Sequence, residues 1–448
     1  MRHALGPGAD LYVLPAQRFR TAHLLVAFEQ TLAPETVTFG SLLPRVLRRG
    51  TRRWPDMPSL AGHLEDLYGS SFGAAATKLG DLQVVEASFS CPGPAGLLEA
   101  VRAARRGERL TGSDPAGSLT RQGAVLLAET FQSPVPAGVW GDYVAEEKDG
   151  LARDIASVGD DRMSHAHYRC VSEMCAGEPN SLHSLGRAED LEEMTPDALE
   201  RFRCSLVSEA PIVAYLAGPA DDAAVEEIEE ALAPLVRTSA RARRPVAPSA
   251  PHPRPSQERE VVEAADVEQA RLVIGVQTGT VLGDPDYPAQ VLYNGLLGGF
   301  VSSRLFRRIR EEAGLAYYAW SRLIATKGII LISCGIQEAN YGQAVELIRC
   351  ELDSLAKGDF TDTEFEGTRN SVLALAKALL DTPSGLMYGH LELRSTGHDV
   401  DEIAPWRLLQ AVTSDQVRDF GRKPALDTIY LLGKQPTGRT QEARPSGD

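Results

Sequence analysis

The chain has few cysteines, fewer basic than acidic residues and no long apolar run. Each shortage argues against one class of protein or partner. Its six cysteines include no C-x-x-C pair and lie mostly in apolar, periodic segments, so free and mostly buried thiols are predicted rather than a disulfide framework. The 46 basic side chains are outnumbered by 61 acidic ones, which gives a net charge of -15. Nucleic acid and anionic membranes are therefore not expected as partners, because both are bound mainly by Lys and Arg.

The sequence also lacks the segments that would direct it out of the cytoplasm. Its amino-terminal stretch contains no apolar core of a secretory signal, and no apolar run is long enough to cross a bilayer. We therefore predict a cytoplasmic protein with no membrane partner. An apolar content of 43% is typical of a soluble globular chain, and a length of 448 residues predicts two to four domains.

A proline-rich segment divides the chain nearly in half. Residues 237–258 contain five prolines and no apolar periodicity, as expected of a semi-rigid extended linker. The predicted domains are therefore residues 1–236 and residues 259–437. A polar tail follows at 438–448, and we expect it to be disordered.

The two halves repeat one order of elements, which indicates an internal duplication. In each half a helix ends at a glycine, Gly69 or Gly314, and two strands with alternating apolar residues follow. Later in each half a threonine, Thr195 or Thr413, is positioned to cap a helix that leads into a further strand. The repeat predicts an α+β fold of two tandem homologous domains, each a mainly antiparallel sheet with helices packed on one side.

Residues 297–320, LGGFVSSRLFRRIREEAGLAYYAW, are the most informative stretch. They contain a Gly-Gly bend, an arginine-rich helix closed by Gly314, and a strand led by Tyr317, which follows Arg310 by seven positions. This tract resembles the carboxy-terminal half of an M16 (pitrilysin-type, M16B-like) zinc peptidase. The resemblance implies that Arg310 and Tyr317 bind the main chain of an extended peptide substrate. It also implies that the two domains form half of a clam-like chamber.

The zinc-binding motif of that family is missing from the chain. Members carry H-x-x-E-H near the amino terminus, just before a Gly-Thr pair, and we align that pair with Gly50-Thr51. The degenerate metal positions are then Ser41, Pro44, Arg45 and Ala145, or Glu146 if the last position shifts by one. Serine is a poor zinc ligand, a guanidinium repels the ion, and proline cannot act as a base. No zinc or other cofactor is therefore expected.

Other candidate sites in the sequence have simpler explanations. His165 and His167 point roughly 200° apart on a predicted helix, so we expect packing or solvent-facing histidines rather than metal ligands. A G-x-S-x-G pattern surrounds Ser71, but a helix precedes it and a strand follows, which reverses the order of the nucleophile elbow in serine hydrolases. Tyr318 and Trp320 lie on the opposite strand face from the preceding tyrosine and are predicted to be packing residues.

The resemblance implies that one chain carries the zinc site and another carries the peptide-binding residues. Within the M16 family the sequence looks closest to a bacterial branch that lacks the zinc motif and is associated with aminopentanol modification of elongation factor P. We expect a non-catalytic subunit of a heterodimeric zinc peptidase, in which a partner homologue supplies H-x-x-E-H and zinc. A homodimer remains open, and we do not expect an active metallopeptidase from this chain alone. The alternative is a structural or binding homologue with no role in proteolysis.

Overall fold

The chain folds into helices and two β-sheets, and the computed structural model describes residues 1–93, 115–237, 243–398 and 405–434. The predicted tail at 438–448 lies outside the described residues, as does the start of the predicted linker. The strands are β1 Arg2–Gly6, β2 Ala9–Pro15, β3 Thr21–Thr31, β4 Ser71–Leu79, β5 Leu82–Pro92, β6 Ile212–Gly218, β7 Arg259–Ala264, β8 Ala270–Gln277, β9 Ala316–Ile324, β10 Ile329–Ile336 and β11 Ala425–Gly433.

The described helices are α1 Val37–Leu47, α2 Met57–Asp66, α3 Pro115–Gln132, α4 Ala137–Ser157, α5 Arg162–Met174, α6 Pro196–Glu209, α7 Asp222–Arg237, α8 Tyr287–Asn294, α9 Tyr341–Ala356, α10 Asp362–Leu380, α11 Pro383–Ser395, α12 Pro405–Ala411 and α13 Ser414–Phe420. Two short π-helices, Gly295–Gly299 and Phe306–Glu312, lie between α8 and β9. Short 3-10 turns occur at Pro179–Ser181, Glu189–Glu193 and Glu338–Asn340.

The chain separates into two compact units, and neither is one continuous stretch of sequence. The first unit comprises Met1–Val158, Gly177–Ala250 and Leu375–Ala404, and the second comprises Gly159–Ala176, Pro251–Ala374 and Pro405–Asp448. Helix α5 from the amino-terminal half therefore belongs to the second unit, and α11 from the carboxy-terminal half belongs to the first. The domain ranges predicted from the sequence did not include this exchange of helices.

The two sheets have the same strand order, which is the structural form of the predicted duplication. The first sheet runs β1-β2-β6-β3-β5-β4 and the second runs β7-β11-β8-β10-β9, so that the second repeats all but the outermost strand of the first. The β2–β6 and β7–β11 pairs are parallel, and the other pairs are antiparallel. The predicted α+β class with two mainly antiparallel sheets is confirmed.

Alternation along β3 explains how the first sheet is covered on both faces. Leu24, Val26 and Phe28 belong to the large core that includes residues of α1 and α3, and the Phe28 ring meets the Phe131 ring edge-on at 4.6 Å between centroids. Leu25, in contrast, belongs to a second cluster that includes residues of α11. Burial of each such side chain stabilises the unit by about 1.5–3 kcal/mol. Helices thus cover both faces, one more layer than the one-sided packing predicted from the sequence.

The second sheet has its own helical cover on the face that α5 occupies. Cys170 and Met174 of α5 form a core cluster with Val273 of β8 and Tyr430 of β11. The helix lies very close to the sheet, because a side-chain carbon added at Gly275 would come within 2.6 Å of the Met174 sulfur. Glycine therefore permits the close approach of helix and strand at this point.

Hydroxyl caps begin the helices where the sequence indicated them. The Thr195 side chain accepts a hydrogen bond from the Ala198 N–H at 3.2 Å, and Thr413 forms a reciprocal capping box with Gln416. A further cap, Thr382, starts α11 immediately after α10 ends. Each such cap stabilises its helix by about 1 kcal/mol, because it satisfies an N–H that has no partner within the helix.

The described residues also bear on the predictions for thiols and membranes. All six cysteines are free; Cys204 and Cys350 are exposed and the other four are buried. The described helices include none that is both long enough and apolar enough to traverse a bilayer.

Candidate functional site

Three of the four predicted metal positions, Ser41, Pro44 and Arg45, lie on α1 of the first unit, and none of their side chains is a normal zinc ligand. Ser41 and Pro44 are buried, and Pro44 lies inside the helix. Arg45 is partly exposed, and its Nη2 lies 2.6 Å from Oδ2 of Asp154 on α4. The helix therefore presents a hydroxyl and a guanidinium at the spacing of four residues where the family motif has two imidazoles.

A second arginine, Arg49, lies two residues after α1 and extends this ionic contact with α4. Arg49 Nη1 lies 2.9 Å from Glu147 Oε1, and Arg49 Nη2 lies 2.6 Å from Glu146 Oε2. Burial alone would lower the pKa of Arg49, but the hydrogen bonds to Glu147 and Glu146 outweigh it and raise that pKa. Glu147 is buried, and Arg48 is also within 3.6 Å of it. Carboxylates of α4 thus bind guanidinium groups of α1.

The remaining predicted position, Ala145, is exposed on α4 and carries no ligand atom. Sequence reasoning missed Asp154, the carboxylate that contacts Arg45. A signal for it exists, because Glu147 and Asp154 are seven residues apart and therefore lie on nearly the same helical face. An arginine-carboxylate contact supplies positive charge next to these acids without a metal, but it offers no open coordination position for a water molecule.

The predicted peptide-binding residues belong to the second unit: Arg310 lies in the π-helix Phe306–Glu312 and Tyr317 lies on β9. Most of the other arginines in and just before this π-helix are already bound. Arg304 contacts Glu351 at 3.3 Å, Arg307 contacts Glu364 at 3.0 Å, and Arg308 contacts both Glu351 and Glu312 at 3.0 Å. These three arginines hold the segment against neighbouring helices and are not available to a ligand.

Arg310 and Tyr317 differ from those arginines because both are exposed and neither is bound to a carboxylate among the described residues. The Tyr317 side chain is 73% exposed. The Arg310 guanidinium lies over the Phe306 ring at 4.6 Å from its centroid. Within the part of the chain that the structure describes, neither side chain has a hydrogen bond or an ion pair. The ring contact orients the guanidinium while its N–H donors stay free.

A tight reversal connects the two residues. The Leu315 N–H donates to the Ile309 carbonyl at 2.9 Å, which ties the start of β9 to the turn that carries Arg310. Gly314 lies in this reversal at a φ of +61°, a conformation that side chains with a Cβ disfavour. The sequence prediction of a helix, a glycine reversal and a strand is confirmed here, although the helix is of the π type.

Tyr317 also interrupts the pairing of an edge strand. Strand β9 is the last strand of its sheet and pairs only with β10 among the described residues. Opposite Ala316 and Tyr318 the register shifts by one residue, so Tyr317 has no partner on β10. A bulge of this kind redirects a side chain and is common beside binding sites.

The remaining aromatic and imidazole side chains of this region are used in packing, as predicted. The Trp320 ring meets the His167 ring edge-on at 5.2 Å, and the Tyr318 ring covers Gly335. His167 Nε2 lies 2.6 Å from Ser333 Oγ, whereas His165 Nε2 lies 2.7 Å from a carboxylate oxygen of Glu263. Burial, with the charge of Arg322, lowers the pKa of His167 to about 4.

The G-x-S-x-G pattern forms no nucleophile elbow. Ser71 opens β4 directly after the turn that follows α2, and its hydroxyl lies 2.7 Å from that of Ser90 on the neighbouring strand. The order of helix and strand is therefore the one predicted, and no histidine contacts Ser71 among the residues that the structure describes.

Comparison with known proteins agrees with the resemblance seen in the sequence. The family model described as the peptidase M16 inactive domain matches residues 193–372. Over 427 residues the chain is 30% identical to "Probable inactive metalloprotease YmfF" of Bacillus subtilis (strain 168), covering 95% of this chain and 96% of that protein.

Solved structures agree on the fold. A conserved protein from Enterococcus faecalis V583 superposes with a TM-score of 0.83 at 23% identity, covering 98% of this chain and 99% of the other. A peptidase M16 inactive domain from Pseudomonas fluorescens superposes with a TM-score of 0.74 at 18% identity, with the same coverage of 98% and 99%. At these identities the structures establish the arrangement of strands and helices only.

Proposed function

Since this chain belongs to the M16 peptidase family, among its inactive metalloprotease homologues, we propose that it is the peptide-binding, non-catalytic subunit of a heterodimeric zinc peptidase. A partner homologue supplies H-x-x-E-H and zinc. This chain contributes Arg310 and Tyr317, which bind the main chain of an extended peptide.

The observation that carries the proposal is the contrast among the arginines of one segment. Arg304, Arg307 and Arg308 are each bound to carboxylates, whereas Arg310 faces solvent and its donors have no hydrogen-bond partner among the residues that the structure describes. An exposed tyrosine, Tyr317, follows at the start of an edge strand. Two unused donors beside one open strand edge are what binding of a peptide carbonyl requires.

An extended peptide is the ligand that best fits an open strand edge. The outer edge of β9 has no neighbouring strand among the described residues, so its backbone groups are available to an added strand. Carbonyl oxygens of that strand can accept hydrogen bonds from the guanidinium and the phenol. In a working peptidase such donors also stabilise the oxyanion that develops during cleavage.

The motif positions of the first unit cannot form a catalytic zinc site, and for this reason the proposal includes a second chain. Its α1 carries Ser41, Pro44 and Arg45 at the motif positions, and Arg45 is engaged by Asp154. A catalytic zinc site needs three ligands, an open position for water and a nearby base. The reactive ion must therefore come from another polypeptide if the assembly cleaves peptides.

Co-purification with an H-x-x-E-H homologue tests the proposal. We expect the mixture, and neither chain alone, to hydrolyse a fluorogenic peptide library. Arg310→Ala combined with Tyr317→Phe should lower kcat/KM of the mixture by about 100-fold, which corresponds to about 2.7 kcal/mol for two lost charge-assisted or phenolic donors. Binding of the two chains to each other, measured by analytical ultracentrifugation, should stay unchanged.

A matched control separates a site effect from a general one. Arg201→Ala with Tyr68→Phe also alters one exposed arginine and one exposed tyrosine, but at positions outside β9 and its π-helix. This control should leave kcat/KM unchanged. If the test variant behaves like the control, Arg310 and Tyr317 do not bind substrate. Stable association with no turnover in any mixture would instead favour the structural alternative.

A further inference from the structure

Residues 45–53, which begin at the last predicted motif position on α1, are rich in positive charge. Five of the nine residues from 45 to 53 are arginines, in a chain whose net charge is -15. Two of them, Arg45 and Arg49, are neutralised by carboxylates of α4, as described above. The peptide-binding role proposed for the second unit uses none of the five.

The other three arginines are exposed. Arg48 follows α1, is 52% exposed at its side chain, and shares Glu147 at 3.6 Å with Arg49. Arg52 and Arg53 are exposed, and within the described ranges neither side chain forms an ion pair. The charge of Arg53 nevertheless acts on Glu129, where it opposes the rise in pKa that burial causes. The arginine face, defined here as Arg48, Arg52 and Arg53, therefore presents three exposed guanidinium groups on an acidic protein, and two of them form no ion pair among the described residues.

Hydrogen bonds hold the backbone of this face in one conformation. The Thr51 N–H donates to the Trp54 carbonyl at 2.8 Å, and the Trp54 N–H donates back to the Thr51 hydroxyl at 3.3 Å. The Arg52 N–H is bound to the Ser133 carbonyl at 2.9 Å. A ligand that binds here does not have to order the loop first, which reduces the entropic cost of binding.

Aromatic stacking also orients one of the cations. The Arg53 guanidinium lies over the Trp54 ring at 4.8 Å from its centroid, and that ring stacks on the His63 ring at 3.9 Å. Burial, and after it the charge of Arg53, lowers the pKa of His63. The Arg53 side chain is exposed, so the edge of its guanidinium with its donors is left to solvent.

We infer that the arginine face binds an acidic segment of a polypeptide, with carboxylates of that segment paired to Arg48, Arg52 and Arg53. Guanidinium groups bind carboxylates through paired N–H donors. A short acidic peptide fits better than a nucleic acid, because a long polyanion would also meet the overall negative charge of the chain. This inference goes beyond the proposed function and does not depend on Arg310 or Tyr317.

Fluorescence anisotropy with the full-length chain tests the inference. The probe is a fluorescein-labelled peptide of alternating Glu and Ser, and the reference peptide has Gln in place of every Glu. We expect the acidic peptide to bind at least about tenfold more tightly than the reference at low salt, and the difference to shrink on raising the ionic strength through screening. Arg52→Gln with Arg53→Gln should weaken binding of the acidic peptide about tenfold.

Three further measurements decide the outcome. Arg201→Gln with Arg237→Gln removes the same charge from exposed positions of the same unit and should weaken binding less than about twofold. Arg52→Lys with Arg53→Lys should retain part of the affinity, and circular dichroism should confirm that every variant is folded. The inference is overturned if the two Gln double variants lose affinity equally, if the Gln peptide binds as tightly as the acidic one, or if a single-stranded oligonucleotide binds more tightly than either.

Discussion

Two arginines at the end of α1 and Arg310 of the π-helix before β9 are used in opposite ways. Arg45 on α1 and Arg49 just after it are bound to Asp154, Glu146 and Glu147 and join this segment to α4 in the first unit. In the second unit, Arg310 has no hydrogen bond or ion pair among the described residues, and its guanidinium lies over the Phe306 ring. The comparison teaches that arginine residues alone do not identify a binding site: what distinguishes a candidate is a donor that the fold leaves unused.

The largest effect is expected from replacing the contact between Arg45 and Asp154 with a metal site. Ser41→His with Arg45→His introduces two imidazoles four residues apart, opposite Asp154, which Arg45 now contacts. We expect zinc binding with a Kd on the order of micromolar, or about 8 kcal/mol, where the unaltered pair of positions offers no ligand. Isothermal titration calorimetry measures this affinity. No peptide hydrolysis should accompany it, because Pro44 cannot act as a base.

The single substitutions are the controls for this gain of metal binding. Neither Ser41→His nor Arg45→His alone should bind zinc, and adding Asp154→Asn to the double variant should abolish binding. Zinc affinity that survives Asp154→Asn would mean that the third ligand is another residue.

The next largest effect should be on the stability of the first unit. Arg49→Met leaves the buried Glu147 with only the more distant Arg48. We expect the free energy of unfolding in urea to fall by about 2 kcal/mol, because a buried carboxylate loses its main partner. Arg422→Met is the matched control, since Arg422 and Asp419 form an ion pair at 3.0 Å with both side chains more than 70% exposed, and it should cost less than about 0.5 kcal/mol. Equal losses would mean that the α1–α4 contact is no stronger than a surface pair.

Acid should weaken the second unit through His167. Burial and the charge of Arg322 lower the pKa of His167 to about 4 from 6.5, while Asp161 acts in the opposite sense. The unfolded chain therefore takes up a proton below pH 6.5 that the folded chain excludes until about pH 4. The contribution of His167 to the free energy of unfolding is therefore fully present above pH 6.5. The free energy of unfolding should decrease by about 2 kcal/mol as the pH falls from 6.5 to 4.

Urea unfolding at pH 7 and at pH 4.5 measures this dependence. His167→Gln should reduce the difference in the free energy of unfolding between the two pH values. An equal pH dependence in both proteins would assign the acid sensitivity to other groups.

The smallest effect on the free energy of unfolding should come from removing the side-chain donors of Arg310 and Tyr317. Arg310→Ala with Tyr317→Phe removes groups that bind nothing else among the described residues, so the free energy of unfolding should change by less than about 0.5 kcal/mol. Differential scanning calorimetry of the purified chain measures it. A loss above about 1 kcal/mol would show a structural role and would weaken the contrast with α1.

Much of this structure follows from local patterns in the sequence. The strands that follow Gly69 and Gly314, the caps at Thr195 and Thr413, and the α+β duplication are local or periodic features, and the structure confirms them. The free state of Arg310 could not be predicted, because ion pairing of its neighbours depends on residues more than 40 positions away, such as Glu351.

The exchange of α5 and α11 could not be predicted for a related reason. Apolar periodicity identifies the buried face of each helix but not the sheet that it covers. Cys170 and Met174 would suit either sheet as small or flexible apolar groups. The close approach of Met174 to Gly275 selects the second sheet, and it is a contact between residues 101 positions apart in the chain.

The helix exchange has a consequence for how the polypeptide can be taken apart. A protease that nicks the chain between α7 and β7 would produce two fragments, yet each compact unit would still contain a helix belonging to the other fragment. The fragments are interlocked, and separating them would strip apolar cover from both sheets. Expression of either half alone should therefore give an insoluble product, and the nicked protein should remain one particle until it is denatured.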